Sequence, residues 1–239
     1  MKTSNKIILA IILAPLLIIM LLHLSLYAKY KAGDFVSVHS VEEEGYTRTN
    51  FQNIRHIAIY GLGNCRVLPS DSLQLRLEKQ VQLPVRYEVH ADSLIIKGEV
   101  KTSNGNNEEV VERNFQDVKL FVPLMASILV SNSSVTVRGA EDSTKAPSYV
   151  FSVVSDSKLE VADTEKPVYF KGLSIQASRA NGIELTAQTK IEDLQLMLVE
   201  TNFSDNGAAV QRLSVAADKE SYITLKGENL QRLDTARKP

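Results

Sequence analysis

The sequence predicts an all-β chain, a right-handed parallel β-helix or β-solenoid behind one N-terminal transmembrane helix. Three observations predict it: short alternating runs replace helical stripes after residue 50, one phrase recurs at quasi-regular spacing, and a long uncharged run sits near the N-terminus. An antiparallel β-sandwich is the alternative, because short, evenly spaced strands fit it as well.

Residues 1–6 form a short tail with Lys2 and Lys6. From Ile7 to Ala28 there are 22 residues without Asp, Glu, Lys or Arg. As helix they would span about 33 Å, enough for a bilayer core. Segment 7–28 is therefore expected as a transmembrane helix or signal anchor, with Pro15 kinking it and Tyr27 and Tyr30 at the far interface. That reading makes the lipid bilayer a partner and places a single-pass protein in the cell membrane, its main domain extracytoplasmic (periplasmic). Cleavage after Ala28 and secretion is the alternative. Residues 29–49 read as a stalk or N-terminal cap. Glu42, Glu43 and Glu44 lie there, but nothing at useful spacing completes an oxygen-ligand loop, so solvation is the expected role.

Residues 50–232 carry the strand pattern, with 233–239 as a C-terminal tail. "SDSLQLRL", "ADSLIIKG", "NSSVTVRG", "SDSKLEVAD", "ANGIELTA" and "KESYITLKG" share one grammar: a small or polar turn, then two large apolar residues flanking a variable one. Their leading positions are Leu73, Leu94, Val135, Leu159, Ile183 and Ile223. The gaps cluster in the low twenties or near twice that, which suits stacked coils whose inward residues form one core. In "VKLFVPLMASILVSNSSVTVRG", residues 118–139, the "SNSS" step then reads as a corner, with Val135 and Val137 inward and Thr136 outward. Loops are expected at "TSNGNNEE" around Asn104–Gly105 and at "NFSDNG", residues 202–207.

"NIRHIAIYGLGNCRVLPSDSLQLRLE" followed by "LFVPLMASILVSNSSVTVRG" resembles the putative auto-transporter adhesin head GIN-domain family of Bacteroidetes-type envelope proteins. The resemblance rests on Ile57, Ile59 and Gly61, where a strand meets a turn, and on the Val122–Pro123–Leu124 step leading to Ser131–Asn132. It implies a β-helical extracytoplasmic domain over about residues 50–232, and no established biochemical activity. At "SNSS" the chain has Asn132 where many members carry glycine; asparagine also tolerates the left-handed region.

Composition excludes several classes. With 27 basic and 28 acidic residues and no Trp, no nucleic-acid partner is implied. The lone Cys65 can form neither an intrachain disulfide nor a multi-cysteine metal site, and reads as a buried free thiol. No G-x-S-x-G elbow is present, and "YGLGNC" lacks the lysine of a phosphate loop. His56 could act as base to Cys65 only if folding brought them together. Asp71, Asp92 and Asp156 occupy analogous turn positions and either cap turns or form an acidic ladder; Arg138 and Lys226 end matching phrases as solvated coil ends. No catalytic, cofactor-binding or metal residue is assigned, and the sequence leaves the binding face and oligomeric state open. The expected function is a non-catalytic, membrane-anchored scaffold, binding or adhesion module for an envelope protein or glycan. The alternative is a polysaccharide-acting enzyme with acidic residues on a β-helix.

Overall fold

The computed structural model describes residues 3–31, 45–79, 85–103, 109–161, 166–231 and 233–235. Glu42 to Glu44, the Asn104–Gly105 turn, Pro84 and the tail from residue 236 lie outside them. The chain divides into two units, Met1–Gly45 and Tyr46–Pro239.

The first unit contains helix α1, Thr3–Lys31, 29 residues long with Pro15 inside it. Among the described residues, no helix is long and apolar enough to cross a membrane. This corrects the expected transmembrane helix or signal anchor at 7–28. It also removes membrane anchoring, the lipid bilayer as partner and the single-pass location derived from it. Pro15 lies inside the helix, and His23 breaks its apolar sequence. His23 Nδ1 lies 3.0 Å from the Ile19 carbonyl oxygen, one turn back.

The second unit is all-β, with two nine-stranded sheets of mixed parallel and antiparallel strands. The sheet A strands, in chain order, are β1 (Tyr46–Phe51), β3 (Cys65–Pro69), β4 (Leu73–Glu78), β9 (Val118–Val122), β11 (Ser134–Val137), β13 (Lys158–Val161), β15 (Gly182–Leu185), β17 (Asn202–Ser204) and β19 (Tyr222–Thr224). The sheet B strands are β2 (His56–Tyr60), β5 (Arg86–His90), β6 (Ser93–Lys97), β10 (Met125–Ser131), β12 (Ser148–Val154), β14 (Val168–Ser178), β16 (Thr189–Val199), β18 (Ala209–Ala217) and β20 (Leu233–Thr235). A small hairpin, β7 (Val100–Ser103) with β8 (Glu109–Glu112), stands apart.

From β10 onward each coil gives one strand to sheet B and the next to sheet A, and both stacks pair in parallel. Parallel stacking of this kind rules out the antiparallel sandwich. The sheets are nevertheless not purely parallel: β4 pairs antiparallel with β1 and β9, and β5 with β6. The expected all-parallel solenoid is corrected there.

The core follows from alternation. In sheet A, Val135, Leu159, Ile183, Phe203 and Ile223 stack in register. In sheet B, Ile57, Ile128, Phe151, Ile175, Leu196 and Val215 do the same. All but the terminal Ile223 belong to one buried cluster, each side chain contributing about 1.5–3 kcal/mol by leaving water. Phe203 is the rung between Ile183 and Ile223 and explains their doubled gap. Leu94 and Leu73 are not rungs of this column: Leu94 lies in sheet B, and Leu73 faces Phe51 in the antiparallel part. The coil containing β6 and β9 sits beneath the coil of β2 and β3, and β10 stacks on β2.

Five turns from sheet B into sheet A, those after β2, β10, β12, β14 and β16, are made by a left-handed residue immediately after the strand. Gly61, Asn132, Ser155, Arg179 and Glu200 have φ of 64°, 47°, 51°, 52° and 49°. The strand ends before them (Tyr60, Ser131, Val154, Ser178, Val199) are in register, so the corners stack in a column. Backbone bonds join them, Asn132 N–H to the Ser155 carbonyl at 2.9 Å and Arg179 N–H to that of Val199 at 3.0 Å. Buried hydroxyls complete the corner. Ser133 Oγ accepts from Leu62 N–H at 3.0 Å, Ser157 Oγ from Ser133 N–H at 3.2 Å, and Thr201 Oγ1 from Ala180 N–H at 3.2 Å. Glycine is required at Gly61, where an added Cβ would lie 2.7 Å from the Glu99 backbone nitrogen. At the last coil, helix α2 (Gly227–Gln231) places buried Asn229 against Asp205, with Nδ2 to Oδ2 at 2.8 Å.

The exposed corner residue Glu200 isolates the backbone requirement. Glu200→Val is expected to lower unfolding free energy by about 1–2 kcal/mol, because a β-branched side chain resists this region. Glu200→Gly is expected to match or exceed the parent. Denaturant titration of both variants checks this.

Candidate binding face

The sequence-derived chemical candidates do not converge. Cys65 faces the interior at 1% exposure, whereas His56 is exposed on sheet B. Burial, then the nearby Asp117 charge, pushes the Cys65 thiol up to about 12. His56 Nε2 instead lies 3.9 Å from Asp92 Oδ2. The Asp92 carbonyl accepts from Arg55 N–H at 2.8 Å, and Asp156 stands at a corner with φ 57°. Asp71 lies exposed in the turn between β3 and β4. Arg138 pairs with Glu141 at 2.8 Å, and Lys226 Nζ donates to the Asn206 carbonyl at 3.2 Å. Among the described residues, no group of three or more His, Cys, Asp and Glu side chains could hold a metal ion.

The outward faces of the two sheets differ in chemistry. On sheet A the outward side chains include charged groups engaged with one another. Asp117 accepts from Arg66 Nη2 at both carboxylate oxygens, at 2.9 and 2.8 Å, and from the Tyr46 hydroxyl. Lys158 bridges to Glu184 at 3.2 Å. On sheet B, between β10 and β18, the rows Ser127–Val150–Ser174–Gln195–Ser214, Leu129–Ser152–Gln176–Met197–Ala216 and Ser131–Val154–Ser178–Val199 carry no charge, although the first runs on to Asp234 and the third to Lys97. Met197 is 54% exposed and Val150 46%.

The first of these rows helps to line a groove of about 490 Å³ that extends onto β14, β16 and β18. Alternation slips there: Phe170 and Leu173, Ile191 and Leu194, and Val210 and Leu213 are buried, with two residues between each pair turned outward. The outward pairs are Lys171–Gly172, Glu192–Asp193 and Gln211–Arg212. Gly172, Asp193 and Arg212 stack in register, and Arg212 Nη2 meets Asp193 Oδ2 at 3.2 Å. Gly172 leaves the floor open, since an added Cβ would meet only Ser148, at 3.3 Å. Tyr149, Val150 and Leu173 supply apolar lining, and Met125, 81% exposed, stands at one end. Sequence reading missed this groove; its signal was the doubled outward step in each long strand.

No protein-family model matches the chain, and no curated protein matches it in sequence. Solved structures similar to it include a putative lipid binding protein from Parabacteroides distasonis, at 12% identity and TM-score 0.39 over 80% of this chain and 74% of that one. A putative adhesin from the same organism is 13% identical, TM-score 0.32, covering 80% and 96%. A putative adhesin from Parabacteroides merdae is 10% identical, TM-score 0.25, covering 80% and 95%. None of these likenesses shows a specific domain family.

Two measurements test the local electrostatics. Native Cys65 is expected to resist alkylation at pH 8 and to react fully once unfolded, as mass spectrometry would show; prompt native labelling would contradict its burial. Burial, then the hydrogen bond to Asp117, raises the Tyr46 hydroxyl from its ordinary value near 10 to about 12. Because the folded value is the higher one, this contribution is intact below pH 10 and lost as pH rises toward 12. Tyr46→Phe should therefore flatten the alkaline fall in stability, measured by denaturant titration across that range.

Proposed function

We propose that the chain is a binding module of adhesive type that presents the outer face of sheet B to a protein partner. The observation that carries this is the uncharged field of Ser, Gln, Val and Met on that face, beside a groove able to take a partner's side chain. Charge depletion with exposed methionine suits the centre of a protein interface. The charges on sheet A, by contrast, are engaged by their neighbours. The resemblance to GIN-domain adhesin heads through Ile57, Ile59, Gly61 and the Val122–Pro123 step supports the adhesive sense.

Met197→Lys, placing a charge amid the neutral rows, is expected to reduce partner binding at least about tenfold without changing the melting temperature. Glu160→Lys on sheet A is expected to leave it unchanged. Surface plasmon resonance with partners recovered by cross-linking would measure both. Loss of binding in Glu160→Lys alone would move the interface to the other sheet.

A further inference from the structure

The two ends of the coil stack are finished differently. At one end of sheet A, β1 closes the stack by pairing antiparallel with β4, and Thr47 and Thr49 stand opposite Leu77 and Leu75. The Thr49 hydroxyl lies 3.3 Å from that of Tyr87 on β5, the end strand of sheet B, and the Phe51 ring meets Tyr87 edge-on. Hydroxyl groups therefore terminate the apolar core on that side. At the other end of sheet A, β19 pairs in parallel with β17, and the core column stops at Ile223, 37% exposed.

The backbone of β19 shows which of its groups are free. The Thr224 carbonyl accepts from Asp205 N–H at 3.1 Å, so Thr224 is turned toward the β17 side. Successive residues of a strand direct their backbone groups to opposite neighbours, so the N–H and C=O of Ile223 face the outer edge. Among the described residues, no strand pairs with that edge. It is a template for another strand, and its flanking charges select which one. In an antiparallel pairing of β19 with its own copy centred on Ile223, Ile223 meets Ile223, Tyr222 meets Thr224, and Glu220 meets Lys226 twice. A slip of two residues one way sets Glu220 against Glu228; the other way, it sets inward Ile223 against Ser221. A slip of one residue sets Ile223 against an outward side chain. Both charges can take part. Lys226 Nζ donates to the Asn206 carbonyl at 3.2 Å and has two further donors, and Glu220 Oε1 lies 3.8 Å from the exposed Lys219 Nζ.

We propose that the chain forms a two-fold dimer with a second copy of itself through β19, the two copies of sheet A joining into one. The central Ile223 pair exchanges two N–H···O bonds. The two isoleucines cover each other and carry the column Val135–Leu159–Ile183–Phe203–Ile223 on into the second copy. An isologous contact of this kind closes on itself instead of growing into a filament. Because one short strand carries it, the dimer is reversible. A two-fold axis perpendicular to sheet A also keeps the outer face of sheet B on the same side in both copies, so the dimer presents the proposed partner-binding face twice. That consequence rests on the preceding proposal; the pairing itself does not.

Sedimentation velocity of the full-length chain across the micromolar range is expected to show a monomer–dimer equilibrium. Glu220→Lys should weaken the dimer roughly tenfold, since each of two symmetric pairs turns from attraction to repulsion. Ile223→Cys tests the register. In a hydrogen-bonded antiparallel pair the two Cα atoms lie about 5.5 Å apart, within disulfide reach. Mild oxidation should therefore give a covalent dimer of Ile223→Cys, while Thr49→Cys at the opposite end should give none; native Cys65 is buried and stays out of the reaction. Thermal melts of the variants establish that they remain folded. A monomer at every concentration, a dimer indifferent to Glu220→Lys, or no disulfide at position 223 would overturn the proposal. Met197→Lys lies on sheet B and should leave the dimer unchanged, which separates failure of this contact from failure of the partner-binding face.

Discussion

The structure depends on the left-handed corner between sheet B and sheet A. Every coil must reverse direction within a few residues while keeping its backbone groups paired with the coils on either side. At Gly61, Asn132, Ser155, Arg179 and Glu200 a residue at positive φ makes that reversal, and its repetition keeps those coils in register. L-residues other than glycine resist this region. Four of the five nevertheless occupy it, held by backbone bonds along the column and by the buried hydroxyls of Ser133, Ser157 and Thr201.

Once the corners stack, the two faces follow. Inward positions form continuous apolar rows, which is the favourable term in folding. Outward positions are released from packing and form rows of their own, set by register. Sheet B carries neutral rows and a groove; sheet A carries charge divided between its two ends. A coil of this kind can therefore present two unrelated surfaces without altering its core.

Much of the fold was legible because alternation is local. Val135 and Val137 point inward with Thr136 outward, as their spacing suggests, and Asn132 occupies the corner that "SNSS" marks. Other features were not legible. Leu94 shares the grammar of Val135 but belongs to the other sheet, since a strand's pattern does not specify its sheet. His56 and Cys65 are nine residues apart yet on separate faces. The N-terminal run looked long enough to span a bilayer, whereas among the described residues no helix is long and apolar enough to do so. The groove was hidden because its doubled outward step resembles an ordinary break in alternation.

By itself, the sequence determined which side chains turn inward, where the chain turns, and that the body of the protein is β. These properties depend on neighbouring residues and on the two-residue period of a strand. Only the tertiary structure decided which strand lies beside which, placing the coil of β6 and β9 beneath that of β2 and β3 and aligning Arg48, Arg76, Lys119 and Arg66. The reason is that the backbone hydrogen bonds of a ladder are the same for any pair of strands. Partner choice rests on side-chain fit and chain closure across the whole coil, which no local pattern contains.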